Sequence, residues 1–510
     1  MQTLIRTTFL IAAIVTAPFV FAAKTSESKV GAQPLSAGMA AALDTVKPDN
    51  IKADLYFIAS DEMKGRDTPS EEQRITARFL RARLERLGWK PGARDGFFHT
   101  YDLEQRVLDE AKCTATFSVD GKKETLSFAS DYYMPGSFEV RTSRVTGKLV
   151  FAGKGTKDEF ADKALEGAWA LCFDNGEEIS EVARRARKAK CAGLVIAPGP
   201  DYAGVAYHER FKSHLERQRK GSVRMPEKPK KAGETEEKPE RREAFGSVAL
   251  TRDAVARVLA LSRESANPRV GTVIGDFTEE RVLQGNGFVP AENVCGLWPG
   301  SDPVLGDETI IISAHYDHIG VTRDGQVNNG ADDNGSGTSG LLAIAEALAS
   351  HGPLRRSVML IWVSGEEKGL WGSEAWTSDP YLPDGRKAIC DINIDMIGRN
   401  APDKLLITPT SGRAKDYNGL VKIAESLSAS EGFPELGSAD KYYDRSDHIN
   451  FAKNLKIPVL FLFSDVHEDY HKPTDDSDKI DFDTIRRVSR LVLRIVDALQ
   501  AEKLEIGPVR

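Results

Sequence analysis

Four nearly continuous apolar runs in the second half of the chain constrain its fold more than any other feature. They are rich in β-branched and aromatic residues and occupy positions 310–312, 358–363, 389–394 and 459–463. Such runs are typical of strands buried on both faces of a mostly parallel sheet. Apolar residues at helical spacing occur between and after them, at 341–348 and 485–499. We therefore predict an α/β fold in which a mostly parallel, doubly wound sheet lies between helices.

The chain has 510 residues, more than one hydrophobic core supports, so we expect two or three globular units. Ser70 and Gln73 form a capping-box pattern at the start of a helix that Gly88 ends, inside a first segment of the main domain at 46–139. Short strand-like runs indicate a small inserted domain at 140–270, within which the Lys-, Glu- and Pro-rich residues 225–242 are predicted to form a disordered charged loop. The main domain resumes at 271–510.

The N-terminus has the pattern of an export signal. Arg6 precedes an apolar run at 9–21, and Val20-Phe21-Ala22 places small residues where a signal peptidase needs them. We predict a signal peptide at 1–22, a flexible lead-in at 23–45, and a periplasmic or secreted protein. Later stretches fall short of the ~20 apolar residues that a span requires, so no membrane span is expected after cleavage.

Charge and cysteine content narrow the classes of function. A formal charge of −7 argues against a broad surface for nucleic acid, and we expect no nucleic-acid partner. The five cysteines are too few and too scattered for a disulfide scaffold or a cysteine zinc site. Cys172 and Cys191 are the closest pair, either joined in an oxidising compartment or, for Cys172, simply packed in a strand.

Acidic and histidine side chains follow the ends of the predicted strands, where open α/β sheets place their sites. They are His315 and Asp317, Asp333, Glu366 and Glu367, Asp395, and His471. Two histidines and three carboxylates fit two zinc ions that share one carboxylate. Glu366, beside the ligand Glu367, is then free to act as general base, and Asp317 is placed to orient the imidazole of His315.

Five motifs carry these residues, and they resemble, in order, those of the co-catalytic di-zinc aminopeptidases, whose relatives include aminopeptidase Y, glutamate carboxypeptidase II and the glutaminyl cyclases. The motifs are Ser-Ala-His315-Tyr-Asp317-His, Gly-Ala-Asp-Asp333-Asn-Gly-Ser-Gly, Ser-Gly-Glu366-Glu367, Asn-Ile-Asp395-Met and Tyr470-His471-Lys-Pro-Thr-Asp. Residues 59–66 also look like the N-terminal segment of that family. Residues 140–270 look like the protease-associated domain that many members insert.

The resemblance implies a role for each residue of the site. Asp333 would bridge two Zn²⁺ ions, with His315 and Asp395 completing one position and Glu367 and His471 the other. The phenol of Tyr470 would hydrogen-bond a tetrahedral oxyanion.

The resulting hypothesis is an exported metallo-exopeptidase that acts on the N-termini of peptides or proteins. A zinc-bound hydroxide, formed as Glu366 accepts a proton, attacks the scissile carbonyl, and Glu366 passes the proton to the leaving amine. Arg445 and His448 are candidate substrate-binding residues, with structural roles as the alternative for both.

Other interpretations stay open at this point. One is a glutaminyl-peptide cyclotransferase with a single zinc. Another is a di-zinc carboxypeptidase, which would need a basic pocket, for which Arg445 is the candidate. A binding protein on the same fold is disfavoured because all five ligands are present. The sequence leaves the side-chain specificity and the oligomeric state undetermined.

Two literal motif matches point elsewhere. His467 to His471 spell His-Glu-x-x-His, but Pro473 follows and a helix is not expected, so His467 is interpreted as a loop histidine. Residues 335–340 spell a dinucleotide fingerprint, but Asp332 and Asp333 precede it and would repel a pyrophosphate.

Overall fold

Two β-sheets and the helices around them make up the computed structural model of the protein, which describes residues 35–135, 142–161, 163–226, 245–285, 287–322 and 324–508. The helices are α1 Ala37–Leu43, α2 Pro48–Ile58, α3 Glu71–Leu87, α4 Ile179–Lys188, α5 Tyr207–Arg210, α6 Lys212–Lys220, α7 Arg252–Ser262, α8 Gly337–His351, α9 Trp371–Ser378, α10 Gly419–Leu427, α11 His448–Asn450 and α12 Phe482–Ala498. The strands are β1 Lys90–Pro91, β2 Phe98–Arg106, β3 Thr114–Val119, β4 Lys122–Ser127, β5 Tyr132–Tyr133, β6 Ser143–Phe151, β7 Trp169–Phe173, β8 Gly193–Ala197, β9 Ser222–Arg224, β10 Gly246–Leu250, β11 Val273–Arg281, β12 Gly287–Trp298, β13 Glu308–His315, β14 Ser357–Val363, β15 Lys387–Ile394, β16 Leu405–Thr408, β17 Leu436–Ser438 and β18 Val459–Phe463.

The main sheet has the order β17-β16-β18-β15-β13-β14-β12-β2-β9, with β1 on β12. The four predicted strands lie next to one another at its centre, where β18, β15, β13 and β14 run parallel. The predicted α/β fold is therefore confirmed, although β12, β2 and β9 on one side and β16 on the other pair antiparallel. Because helices cover both faces of the parallel centre, β13 and β14 are buried along almost their whole length and β15 over its last five residues. Antiparallel strands also tolerate partial exposure, as in β2.

Helices cover both faces of this sheet. On one face, α8 and α12 pack with α1, α2, α3 and α10 around side chains such as Leu341, Leu348 and Val492. On the other face, α9 and α11 pack with Trp376 and Phe451 against Ile311 and Ile361. The result is a three-layer arrangement in which loops at the carboxyl ends of the central strands meet at one edge.

The second sheet has the order β4-β3-β11-β6-β7-β8-β10-β5, and its centre, from β6 to β10, is parallel. It spans residues 114–281, so strands on both sides of the predicted insert at 140–270 belong to it. The reason is pairing, since β11 lies between β3 and β6 and ties both ends of the segment together. Assignment of this unit as a protease-associated domain stays a prediction. Residues 227–242 of the predicted charged loop lie outside the described residues.

The segment between β8 and β10 returns to the main sheet. There, β9 adds to the edge of β2, with Arg224 opposite Glu104 and joined to it through Nε and Oε2 at 2.6 Å. The segment that carries the second sheet therefore contributes the edge strand of the main sheet.

At the N-terminus, the predicted signal peptide and the lead-in up to residue 34 lie outside the described residues. The rest of the lead-in differs from the prediction, because α1 forms with Ser36 as its cap and Met39 buried in the main core. Ser70 caps α3 and Gly88 ends it with a positive φ, as predicted. Among the described helices, none has the length and apolarity to cross a membrane.

The five cysteines all lie within the described residues, and all are free and buried. Cys172 and Cys191 pack in the same apolar cluster without a bond, so the packed alternative is the one observed.

Candidate metal centre

The central strands deliver the predicted ligands to one edge of the sheet. His315 is the last residue of β13, Asp395 follows β15 directly, and Glu367 lies in the loop after β14. Asp333 lies in the turn that leads into α8. Gly337 starts that helix close to the sheet, because a Cβ there would come within 2.6 Å of the backbone oxygen of Ile394.

Three ligands form a first cluster. The Nε2 atom of His315 lies 3.2 Å from Oδ1 of Asp395 and 3.4 Å from Oδ1 of Asp333. All three side chains are buried, and their donor atoms lie within 4.8 Å of one another.

A second cluster forms on the other oxygen of Asp333. The Nε2 atom of His471 lies 3.2 Å from Oδ2 of Asp333 and 3.0 Å from Oε2 of Glu367. The structure thus brings all five predicted ligands together, with Asp333 between the two histidines. It also brings in His318, whose Nδ1 atom lies 2.7 Å from Oε1 of Glu367.

The donor set fits divalent metal ions. Imidazole nitrogens and carboxylate oxygens are the donors zinc prefers, and buried carboxylates need compensating positive charge. In the described part of the chain, Oε1 of Glu367 and both ring nitrogens of His318 are buried and make no hydrogen bond. These polar atoms face the second cluster, so the site suits cations that would satisfy them.

The pKa values reflect this concentration of buried charge. Burial and the neighbouring carboxylate of Glu367 raise the pKa of Asp333 to about 6. Burial opposes the protonated form of His471, but contacts with Asp333 and Glu367 outweigh it and raise its pKa to about 10. For Glu367, burial is outweighed by the contacts with His318 and His471, which hold its pKa well below the usual value.

Asp317 has a different contact from the one predicted. Its carboxylate oxygen Oδ1 lies 3.7 Å from Nδ1 of His315, while its backbone oxygen lies 3.2 Å from the same nitrogen. The carboxylate instead accepts the backbone N–H of Glu366 at 3.2 Å. Asp317 therefore contacts both the ligand histidine and the residue predicted to be the base.

Glu366 lies in the wall of a pocket that opens over the first cluster. Burial and the carboxylates of Asp447 and Asp395 raise the pKa of Glu366 well above its usual value. The pocket is lined by Asp333, Glu366, Asp395, Met396, Tyr442, Arg445, Phe461, Phe463, Val466 and Tyr470. It combines the charged groups of the site with an aromatic and aliphatic wall.

The other predicted site residues divide between this pocket and its surroundings. The phenol ring of Tyr470 stacks on His471 with centroids 3.9 Å apart, and Arg445 is an exposed residue of the lining. His448 lies behind the lining, fully buried and stacked on Phe461 at 4.7 Å. Burial lowers the pKa of His448 to about 3, so it is neutral.

A chain of hydrogen bonds holds Asp395 from behind. The hydroxyl of Ser446 donates to Oδ2 of Asp395 at 2.9 Å and accepts from the amide of Asn393 at 2.8 Å. This leaves Oδ1 of Asp395 directed towards His315. The sequence pattern around residue 446 did not indicate this contact.

His467 is not part of a helical zinc motif, since residues 468–471 form a turn and not a helix. Its buried imidazole lies 3.3 Å from Oδ2 of Asp332, next to the bridging position, so it supports the loop that carries Asp333. A strand-end pattern could not reveal this role, because it depends on how two loops meet.

Arg66 lies beneath the site and is fully buried. Its guanidinium donates to the backbone oxygens of Tyr316, Ile58, Asn329 and Gly330 at 2.7–3.0 Å. It therefore ties the end of β13 to the loop before Asp333 and places a positive charge near the carboxylates.

Comparison with known proteins agrees with this geometry. Residues 293–496 match the model of peptidase family M28. A probable leucine aminopeptidase of Arthroderma otae is 27% identical over 188 residues, 35% of this chain and 50% of the relative. Aminopeptidase YwaD of Bacillus subtilis is 26% identical over 221 residues, 42% of this chain and 46% of the relative. The chain thus spans about half the length of these curated relatives.

A solved structure shows the same fold. BSAP, a zinc aminopeptidase from Bacillus subtilis, aligns over 91% of this chain and 97% of its own, with a TM-score of 0.50 and 18% identity. This likeness supports the α/β fold described above. The match of residues 293–496 to the model of this family confirms the resemblance found in the motifs.

Proposed function

We propose that the protein is an exported zinc aminopeptidase that hydrolyses N-terminal peptide bonds with a pair of zinc ions. One observation carries the proposal. Asp333 directs its two oxygens to two different histidines, and Glu366 lines the pocket beside it. Shared carboxylates of this kind are characteristic of two-metal hydrolases.

His315, Asp333 and Asp395 would hold one ion, and Asp333, Glu367 and His471 would hold the other. When bound, zinc polarises a carbonyl oxygen and lowers the pKa of water, which supplies a nucleophile at neutral pH.

Glu366 moves the proton in this mechanism. Its carboxylate accepts a proton from the attacking water and then delivers it to the nitrogen of the leaving amine. Burial suits this role, because it stabilises the protonated form of Glu366 between the two transfers. The bond from its backbone N–H to Asp317 fixes the start of the loop that carries it.

Tyr470 and the pocket wall bind the substrate around the scissile bond. Burial and nearby carboxylates raise the pKa of Tyr470, so its phenol keeps a proton that it can donate to the developing oxyanion. Met396, Phe461 and Phe463 offer an apolar surface to the first side chain of the peptide.

The choice of the N-terminal bond draws on the relatives, which are named aminopeptidases. Arg445 favours a second candidate, a carboxypeptidase, because an exposed guanidinium in the pocket lining suits a terminal carboxylate.

The experiment compares aminoacyl-anilides, the same substrates with acetylated amines, C-terminally free peptides and a glutaminyl peptide. We expect hydrolysis of the free-amine anilides that is lost with a chelator and restored by zinc. Hydrolysis confined to C-terminally free peptides would establish the carboxypeptidase instead. Cyclisation of the glutaminyl peptide without anilide hydrolysis would establish a cyclotransferase.

Export is proposed from the residues alone, Arg6 and the apolar run at 9–21 before Ala22. Expression in a bacterium with two membranes, followed by fractionation and N-terminal sequencing, tests it. Processed protein that starts at residue 23 in the periplasm or medium is expected, and unprocessed protein in the cytoplasm would contradict it.

A further inference from the structure

Asp475 ends the motif that carries Tyr470 and His471, and the proposed mechanism gives it no role. It is fully buried. Its carboxyl group contacts the backbone of a segment 142 residues earlier in the chain, the turn at 331–336 that carries Asp333. The last residue of one ligand motif therefore binds the main chain of another.

Three consecutive N–H groups of that turn donate to Asp475. The backbone nitrogen of Asp332 lies 3.1 Å from Oδ1 and 3.2 Å from Oδ2 of Asp475, and that of Asp333 lies 3.1 Å from Oδ2. The N–H of Ala331 donates to the backbone oxygen of Asp475 at 3.2 Å. Asp475 thus holds the first half of the turn, including the backbone of the predicted bridging residue itself.

The local backbone explains why the turn needs an acceptor from elsewhere. Asp333 and Asn334 depart from helical angles, with ψ of 93° and 46°, so a regular helical ladder does not continue through them. The first N–H groups of a helical segment also lack acceptors within the segment. Buried N–H groups nearly always find a partner, and here the carboxyl group of Asp475 supplies it.

The other side of Asp475 is tied to the turn that carries His471. The N–H of Asp475 donates to the backbone oxygen of Lys472 at 3.0 Å, and the N–H of Lys472 donates to that of Asp469 at 3.0 Å. His471 lies between these two bonds. The segment 469–475 is therefore compact, and its contact with Asp333 fixes the distance between two of the predicted ligands.

We infer that Asp475 is a positioning residue that sets the bridging carboxylate of Asp333 relative to His471. Asp333 belongs to both clusters, so a shift of its backbone would change both metal positions. The contact of Ser446 with Asp395 differs in this respect, because it concerns the first cluster alone. For metal binding, the inference rests on the proposed metal pair.

Zinc affinity tests this role in Asp475→Asn, which keeps the shape of the side chain but has one oxygen that accepts instead of two. Chelator competition should show both zinc ions bound about 10–100-fold more weakly, the usual effect of losing a partner that orients a ligand. Asp475→Ser, whose hydroxyl can accept one N–H, provides a second variant. Unchanged affinity, or a loss confined to one of the two ions, would overturn the inference.

Asp302→Asn is the matched control. Asp302 also accepts two backbone N–H groups, those of Val304 and Leu305 at 3.0 Å each, but it lies before the start of β13, whereas His315 lies at the end of that strand. Its replacement should leave zinc affinity unchanged. An equal loss of zinc affinity in this control would show that the effect is a general one on the fold and would also overturn the inference.

Hydrogen exchange of the full-length protein, measured with and without the chelator, gives a readout that does not depend on metal. In Asp475→Asn, the N–H groups of residues 331–333 should exchange about 10-fold faster or more, because loss of a buried partner favours local opening. Asp302→Asn should leave that segment unchanged. Unchanged exchange in Asp475→Asn would overturn the inference, whereas an unsubstituted protein that binds no zinc would refute the proposed function.

Discussion

Replacement of Arg66 by alanine should destabilise the main domain by about 3–5 kcal/mol, the usual cost when one partner of a buried charged network is removed. The structure gives the reason. Four backbone oxygens, those of Tyr316, Ile58, Asn329 and Gly330, accept from this one guanidinium, and all would lose a charged donor. A buried acceptor left unpaired costs about 1–3 kcal/mol. The total stays below the simple sum because the oxygen of Gly330 still accepts the N–H of Gly335 at 3.1 Å and because water can enter the space that the guanidinium leaves.

Urea unfolding followed by tryptophan fluorescence measures the change, with Arg66→Lys and Arg81→Ala alongside. Lysine offers one ammonium where arginine offers a planar fork, so Arg66→Lys should recover less than half of the loss. Arg81 forms an exposed pair with Glu85 one helical turn away, and its removal should cost about 0.3–0.5 kcal/mol. A loss for Arg66→Ala no larger than that for Arg81→Ala would refute the reasoning.

Three further outcomes follow from the structure. Ser446→Ala should weaken zinc binding about 10–100-fold with little change in thermal stability, because it removes the hydroxyl that orients Asp395. Chelator competition measures the zinc affinity, and an unchanged affinity would contradict the prediction. Tyr470→Phe should lower kcat about 100-fold with KM nearly unchanged, and a change in KM alone would show that the phenol does not act on the transition state. The backbone N–H groups of residues 305 and 304, and then Arg355, lower the pKa of Asp302 to about 2. Asp302→Asn should therefore lower the Tm by its full amount above pH ~4, and the Tm difference should disappear as the pH falls towards 2. A Tm difference that does not change with pH would contradict this.

Most of the main sheet could be predicted from the sequence because its central strands are buried on both faces. Burial on both faces makes a strand continuously apolar, as in β14, and such a run stands out in a single sequence. The edge strands could not be found in this way. β2 is only partly buried and β9 has three residues, so their pairing depends on contacts that no local pattern encodes.

The same limit applies to the site. The proposed ligands could be located because parallel strands bring their carboxyl ends to one edge, and that topology follows from the strands themselves. His318 was present in the first motif, but its spacing from His315 says nothing about whether it faces Glu367. Ser446 and Arg66 act across loops far apart in the chain, so their contacts emerge only when the fold is complete.

The central claim is that Glu366 moves the proton at a pair of zinc ions held by the neighbouring side chains. The most direct measurement combines zinc content and turnover of an aminoacyl-anilide for Glu366→Gln, which keeps the shape of the side chain but cannot accept the proton. The account predicts two zinc ions per chain, unchanged thermal unfolding and loss of nearly all turnover. Substantial turnover in a fully metal-loaded Glu366→Gln protein would contradict it.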